Sequence, residues 1–296
     1  MSWMNQREYP KISIVTPNYN KAKYLERTIL SVLSQNYPNL EYIIIDGGST
    51  DGSVDIIKKY ADKLTYWVSE PDNGMYYAIK KGFEYSTGEI MAWINSDDMY
   101  HPGALSIVAD IFMEYDDVQW LTGMNTHYDE NGRTVRVWSA TYFSHLSFLM
   151  RNYKYVQQES TFWRRSLWNR VGGISTEYKL AGDFNLWMRF SRHEKMYIVN
   201  ALLGGFRVCD GQLSENIKEY SREAEDIIAK ERALVEEGKQ IKKLKIRYRV
   251  ISFIQKFKVL NWQAIDKKFM QEFVEEENEH RINFDAISKR FIKVVK

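Results

Sequence analysis

The 296-residue sequence predicts an α/β fold built on an open sheet, parallel through its first half. Three observations predict it. Short apolar runs alternate with helical patterns over the first hundred residues. One run, Tyr42-Ile43-Ile44-Ile45, is apolar without alternation, as a strand covered on both faces is. The polar clusters at 16–20, 46–53, 70–74 and 95–98 each follow a predicted strand. Right-handed crossovers bring such ends to one edge, where open sheets bind ligands.

Lys11 to Thr16 is β-rich and is expected to stop at Pro17, with Asn18 and Asn20 as turn formers. Tyr24, Ile29, Val32 and Leu33 then recur at helical spacing until Pro38-Asn39. A second strand over Glu41–Ile45 runs into the Gly-rich turn Asp46–Ser53, and Val54–Tyr60 reads as a helix. Leu64–Val68 is a third strand, Tyr77–Tyr85 a third helix, and Glu89–Ile94 a fourth strand ending in Asn95-Ser96-Asp97-Asp98. The rhythm then loosens. Gln119–Thr122 and Thr134–Trp138 read as strands, Ser160–Trp168 as strand into helix, and Asp183–Phe190 as helix. This half is expected to complete the sheet and receive a second ligand.

Composition narrows the classes. Hydrophobic residues at 44% and charged residues at 27% exclude wholesale disorder. The single Cys209 cannot form an internal disulfide, the N-terminus carries no apolar signal-peptide core, and no run approaches about 18 apolar residues. A cytoplasmic protein is the expectation. The net charge of +2 conceals an asymmetry: residues 239–296 hold 15 Lys/Arg against 7 Asp/Glu. Within them, 239–258 has eight basic residues, no acidic ones and frequent apolar ones. It reads either as an interfacial helix on anionic lipid, seating the protein on the inner face of the membrane, or as a helix packed on the body or a dimer mate. Phe284, Ile287, Phe291 and Ile292 would extend it as a helix. No nucleic-acid-binding motif accompanies the basic run.

The chemistry-bearing candidates lie at the strand ends. Asp97 and Asp98 are adjacent carboxylates that suit Mn²⁺ or Mg²⁺, which would also carry ligand phosphates; alternatively Asp98 caps a helix beginning at Met99. Asp46 would accept a hydrogen bond from a nucleobase or ribose, or else hold its own turn. Asp183 is a general-base candidate or an acid favoured by a helix N-terminus. The five histidines lack metal-ligand spacing, and no GxGxxG, P-loop or GxSxG occurs.

In order, Ile14-Val15-Thr16-Pro17-Asn18-Tyr19-Asn20, Ile45–Ser53, Ser69–Gly74, Ile94–Asp98, Gln158–Phe162, Gly172-Gly173-Ile174 and Gly182–Trp187 resemble family 2 glycosyltransferases of the GT-A fold over about residues 11–214. The resemblance implies a GT-A catalytic domain over 1–214 and a basic, amphipathic helical extension over 215–296. It implies inverting transfer from a nucleotide-diphosphate sugar to a glycan or lipid-linked acceptor in surface-polysaccharide synthesis, with a divalent metal. Pro17, Tyr19, Asn20 and Asp46 then fall at the nucleotide, with Tyr19 stacking on the base. Asp72 falls near the ribose or sugar. Asp97 and Asp98 are the metal motif, with Asp98 the expected direct ligand, and Asp183 is the base. Glu159 and Trp187 would meet the acceptor. Arg207 would meet the diphosphate, and Lys80 a phosphate, an acidic acceptor or water. Cys209 stands where relatives often carry His, which leaves a non-catalytic sugar-binding module as the alternative. A nucleotidyltransferase would want a basic phosphate loop where Thr16–Asn20 stands.

Overall fold

In the computed structural model, residues 8–149, 155–209, 212, 215–237 and 280–295 are described. The first strand, β1 (Ile12–Asn18), is buried along its full length. It runs through Pro17 to Asn18, past the expected stop. Past Val15 its partner on one side ends at Trp93, so the missing proline N–H costs little there. The amphipathic α1 (Ala22–Leu33) buries Tyr24, Leu25, Thr28, Ile29 and Val32. There follow β2 (Leu40–Asp46), α2 (Ser53–Lys59), β3 (Tyr66–Ser69), α3 (Met75–Glu84) and β4 (Ile90–Trp93).

These strands lie in the order β3-β2-β1-β4, all parallel. The chain winds outward from β1 to β3 and returns to the other side of β1. The C-terminal ends of β1 and β4 therefore flank the point where the strand order reverses, the place an open sheet leaves a crevice.

No helix starts at Met99. Met99–Tyr100 is the short strand β5, and α4 (Ala104–Glu114) begins after Gly103. Next come β6 (Trp120–Thr122), β7 (Asn125–Tyr128), β8 (Thr134–Trp138) and α5 (His145–Leu149). A 3₁₀ turn at Gln158–Ser160 leads into β9 (Thr161–Arg164), then α6 (Arg165–Val171) and α7 (Gly182–Ser191). The chain continues through β10 (Met196–Val199), β11 (Gly204–Arg207), α8 (Ile217–Glu237), β12 (His280–Asp285) and β13 (Arg290–Val295). The main sheet runs β13-β12-β10-β6-β9-β4-β1-β2-β3, and a second runs β5-β11-β7-β8.

Because β9 is antiparallel to both β4 and β6, its beginning lies at the edge where those strands end. That reversal delivers Gln158 and Glu159 to the crevice.

The C-terminal expectation needs two corrections. Helix α8 buries Ala224, Ile227 and Ile228 in the same hydrophobic core as the sheet, so position 214 divides no core. Residues 280–295 form a hairpin, not a helix, and β12 adds to β10. Phe284 and Phe291 meet across the two strands with ring centroids 5.4 Å apart. The Asp285 carboxylate accepts the Ser288 N–H at 2.9 Å and holds the turn between them. The segment 239–258 lies outside the described residues. Among the described residues no helix is long and apolar enough to cross a membrane.

Candidate active site

A cleft of about 710 Å³ opens at the β1/β4 reversal. Its walls come from the loop after β1 (Tyr19, Lys21), the loop after β4 (Asn95, Asp97), the turn before β9 (Gln158, Glu159), the start of α7 (Asp183) and α8 (Tyr220).

The loop after β4 is tied down from both sides. Thr28 of α1 donates its hydroxyl to the carbonyls of Ser96 (3.0 Å) and Asp98 (2.7 Å). Arg207, fully buried, donates Nε to the Asp97 carbonyl at 2.5 Å and Nη1 to the Glu130 carbonyl at 2.9 Å. Its backbone N–H donates to Asp98 Oδ1 at 2.8 Å. Asp98 is thus turned inward, with no exposed surface. Burial, with the nearby charges of Glu159 and Asp97, pushes its carboxyl well up. Asp97 faces the cleft, and Lys21 Nζ donates to its Oδ2 at 2.8 Å.

At the other end, Tyr19 stands 63% exposed on the rim. Gly47 lies between it and Asp72: a Cβ there would come within 3.3 Å of the Tyr19 ring and 3.2 Å of Asp72 Oδ2. Asp46 is buried and fully engaged, accepting from Asn18 Nδ2 and from the Ser49 and Ser69 hydroxyls, each at 2.6 Å. Burial alone would raise its pKa, but these bonds more than offset it and the net shift is downward.

Asp183, at the first turn of α7, is half-buried in the cleft wall. Tyr76 OH and Tyr220 OH stand 3.3 and 3.4 Å from its Oδ1. Tyr76 has one proton, and the Leu180 carbonyl at 2.7 Å is the better acceptor for it. Burial raises the carboxyl's pKa; hydrogen bonding from the Phe184 backbone N–H and from the two tyrosines lowers it but does not offset burial, and the net is a rise to about 6. From α8, Glu223 accepts the backbone N–H groups of Lys179, Leu180 and Ala181 at 2.8–3.0 Å, setting the entry to α7. Glu159, 5% exposed, is pushed up to about 7 by burial. The Glu159 carbonyl would lie 1.9 Å from a Cβ at Gly204, so only glycine lets β11 press against this turn.

Of the residues singled out from sequence, Pro17, Tyr19, Asp72, Asp97, Glu159 and Asp183 line one cleft. Six others do not. Asp46 is the holder of its own turn. Asn20 clamps the facing loop, taking the Thr50 N–H on its Oδ1 at 2.9 Å in a left-handed conformation (φ 51°). Lys80 is exposed on α3 away from the cleft. Asp98 and Arg207 lie behind the acidic loop and brace it. Trp187 is a core residue, stacked between Trp93 and Trp120 at 5.7 and 5.8 Å. Cys209 is buried beside the loop, its N–H donating to Gln212 Oε1 at 3.1 Å.

Lys21, Tyr76 and Tyr220 were not singled out. Lys21 directly follows the first motif, which is a legible signal; the two tyrosines carry none. Among the described residues no three His, Cys, Asp or Glu side chains gather as a cation cage. The donor set, one cleft-facing carboxylate with Asp98 behind it, fits a hard divalent cation whose remaining shell comes from ligand oxygens and water.

The family described as Glycosyl transferase family 2 matches residues 13–174. An uncharacterized glycosyltransferase of Rickettsia typhi is 28% identical over 216 residues, covering 71% of this chain and 68% of that protein. TuaG of Bacillus subtilis, a glycosyltransferase named for teichuronic acid biosynthesis, is 35% identical over 108 residues, covering 36% of this chain and 43% of TuaG. In fold, the chain is similar to the mannosyltransferase PcManGT from Pyrobaculum calidifontis, solved with GDP-Man and Mn²⁺. The TM-score is 0.53 at 17% identity, over 69% of this chain and 59% of that one. With more than half of its length matched, and the motif order preserved around a single cleft on a GT-A sheet, this chain belongs to glycosyl transferase family 2.

Proposed function

We propose that this protein transfers a sugar from a nucleotide-diphosphate donor to a hydroxyl of a glycan or lipid-linked acceptor, with inversion, in the building of a surface polysaccharide. The carrying observation is the position of Asp183: a carboxylate whose pKa burial raises, in the same cleft as the acidic loop after β4. TuaG's naming for teichuronic acid biosynthesis supports the polysaccharide setting, and PcManGT's bound GDP-Man and Mn²⁺ support the donor class and the metal.

The nucleotide enters along the β1 and β2 ends, its base stacking on Tyr19 with Asp72 beside the ribose. The diphosphate lies toward Asp97 and Lys21. Among the described residues that line the cleft, Lys21 is the only Lys or Arg, against Asp72, Asp97, Glu159 and Asp183. So acidic a wall repels a diphosphate, and this favours a cation on Asp97. When bound there, Mn²⁺ or Mg²⁺ offsets the charge that develops on the departing diphosphate. Asp97, not Asp98, is the proposed direct ligand, since it faces the cleft.

Asp183 takes the proton of the acceptor hydroxyl. The oxygen attacks the anomeric carbon as its bond to the diphosphate breaks, and the electron pair leaves with the phosphate. No covalent sugar–protein intermediate is needed.

Asp183→Asn keeps the shape and removes the base. Transfer should fall by roughly 10²–10⁴-fold, with donor affinity retained, as read by product formation and by calorimetry with the donor. Undiminished turnover in that variant would refute the assignment.

A further inference from the structure

Tyr76 joins two walls of the cleft, and the transfer step above leaves it unused. It is the second residue of α3 and is buried. The loop before α3 fixes where that helix starts. The Asp72 carboxylate accepts the Gly74 N–H at 2.7 Å, and the Gly74 carbonyl accepts the N–H groups of Tyr77 and Ala78 at 3.0 and 3.2 Å. Tyr76 is thus carried by the loop that holds Asp72 in the cleft wall.

Its hydroxyl grips the opposite wall. The proton goes to the Leu180 carbonyl at 2.7 Å, and the oxygen accepts the Asp183 backbone N–H at 3.3 Å. Asp183 Oδ1 is also 3.3 Å away. One side chain therefore meets the main chain on both sides of Gly182, and the carboxylate as well. The ring adds a second contact. It lies so close to Gly182 that a Cβ there would come within 2.7 Å of it. Gly182 is not among the glycines with positive φ, so what glycine provides at this position is the close approach.

We propose that Tyr76 is a positioning residue: it registers Asp183 against the donor loop, so that the acceptor hydroxyl and the donor carbon are held on one rigid span. A displacement of about 1 Å can cost roughly 100-fold in rate. The role rests on the transferase reading above.

The test uses the full chain with Mn²⁺. Calorimetry with UDP, GDP, dTDP and CDP identifies the nucleotide, and its glucose, galactose, mannose and N-acetylglucosamine conjugates identify the donor. Turnover is read as sugar released to water, which stands in for the acceptor hydroxyl. Tyr76→Phe keeps the ring and removes the hydroxyl. It should lower kcat about 10- to 100-fold while donor affinity stays within about threefold of the wild type. The acid limb of kcat should move to higher pH, because a hydrogen bond that lowers the Asp183 pKa is lost while Tyr220 and Glu159 are untouched. A tyrosine that only stabilised the fold would lower the melting temperature and leave kcat and the limb in place. Gly182→Ala disturbs the same contact and should also lower kcat. The double variant should lose no more than about threefold beyond the worse single one.

A folded Tyr76→Phe protein whose kcat and acid limb match the wild type overturns the proposal. So do losses that multiply in the double variant. Should Tyr76→Phe fail to fold, Gly182→Ala decides, and a kcat within about threefold of the wild type overturns the proposal. Should the wild type bind donor but release no sugar, the Asp183 carboxyl is titrated by ¹³C NMR, and an unchanged pKa in Tyr76→Phe overturns it. Failure of all four diphosphates to bind the wild type would instead overturn the transferase reading.

Discussion

Asp183 couples burial to pH. Its carboxyl is raised from an ordinary 3.8 to about 6 by burial. As a base it must be ionised, so kcat/KM should fall as pH drops through about 6, with an acid limb near that value. Tyr220→Phe removes a hydrogen bond that lowers the Asp183 pKa and should move that limb to higher pH. The effect on stability runs the other way. Below the unfolded pKa both states are protonated and the site costs nothing. Between about 3.8 and about 6 the unfolded chain is ionised first. Above about 6 the native state carries a poorly solvated charge. Stability attributable to Asp183 is therefore lost as pH rises through this window. Asp183→Asn should melt at a higher temperature than the wild type at pH 7, and the gap should close near pH 4. Melting curves at the two pH values check this; a gap that does not depend on pH counts against the burial argument.

At the scale of elements, α8 is a working wall of the site. Tyr220 stands over Asp183, and Glu223, one turn on, accepts three consecutive backbone N–H groups ahead of α7. Glu223→Ala leaves those groups without that acceptor. The expected cost is about 1–3 kcal/mol of stability, together with a drop in kcat that exceeds any change in donor affinity, because the entry to α7 positions Asp183. Chemical denaturation and steady-state kinetics on the same preparation check both. A second tie runs farther along the helix. Glu231, 3% exposed, pairs with Arg192 and with His145, joining α8 to α7 and α5. Burial would raise the Glu231 pKa, but His145 and Arg192 more than offset it and the carboxyl is held low.

On the scale of the molecule, the sheet is finished by residues from the end of the chain. Strand β12 covers the free side of β10, Ile282 enters the common core, and β13 closes the edge. Deleting 280–296 would leave β10 as an unpaired edge and open the core at Ile282. The expected outcome is a lower melting temperature and self-association, seen by size-exclusion chromatography with light scattering. A truncated protein that stays monomeric with an unchanged melt would show that the hairpin is dispensable. The same geometry bears on the proposed lipid contact of 239–258: a truncation from Lys239 removes two strands along with the basic segment. Neutralising Lys242, Lys243 and Lys245 isolates the charge.

The ordered strands and helices of residues 12–94 were legible in the sequence because each is a local pattern: an apolar run, a period near 3.6, a turn-forming cluster. Asp97, Tyr19 and Asp72 were legible because they follow those elements, and parallel strands bring their ends to one edge; Asp183 was legible from its motif at the start of a helix. Trp187 and Arg207 were misplaced because motif position says nothing about which way a side chain turns; packing turned one into the core and the other behind the acidic loop. The terminal hairpin was read as a helix because Phe284, Ile287, Phe291 and Ile292 fit helical spacing, while the pairing with β10 that selects a strand lies some eighty residues away. Tyr76 and Tyr220 acquire meaning only where distant segments meet beside Asp183. Local sequence determined the elements and the edge on which ligands are expected to bind; the tertiary fold alone decided which side chains face the cleft, because that depends on contacts between residues far apart in the chain.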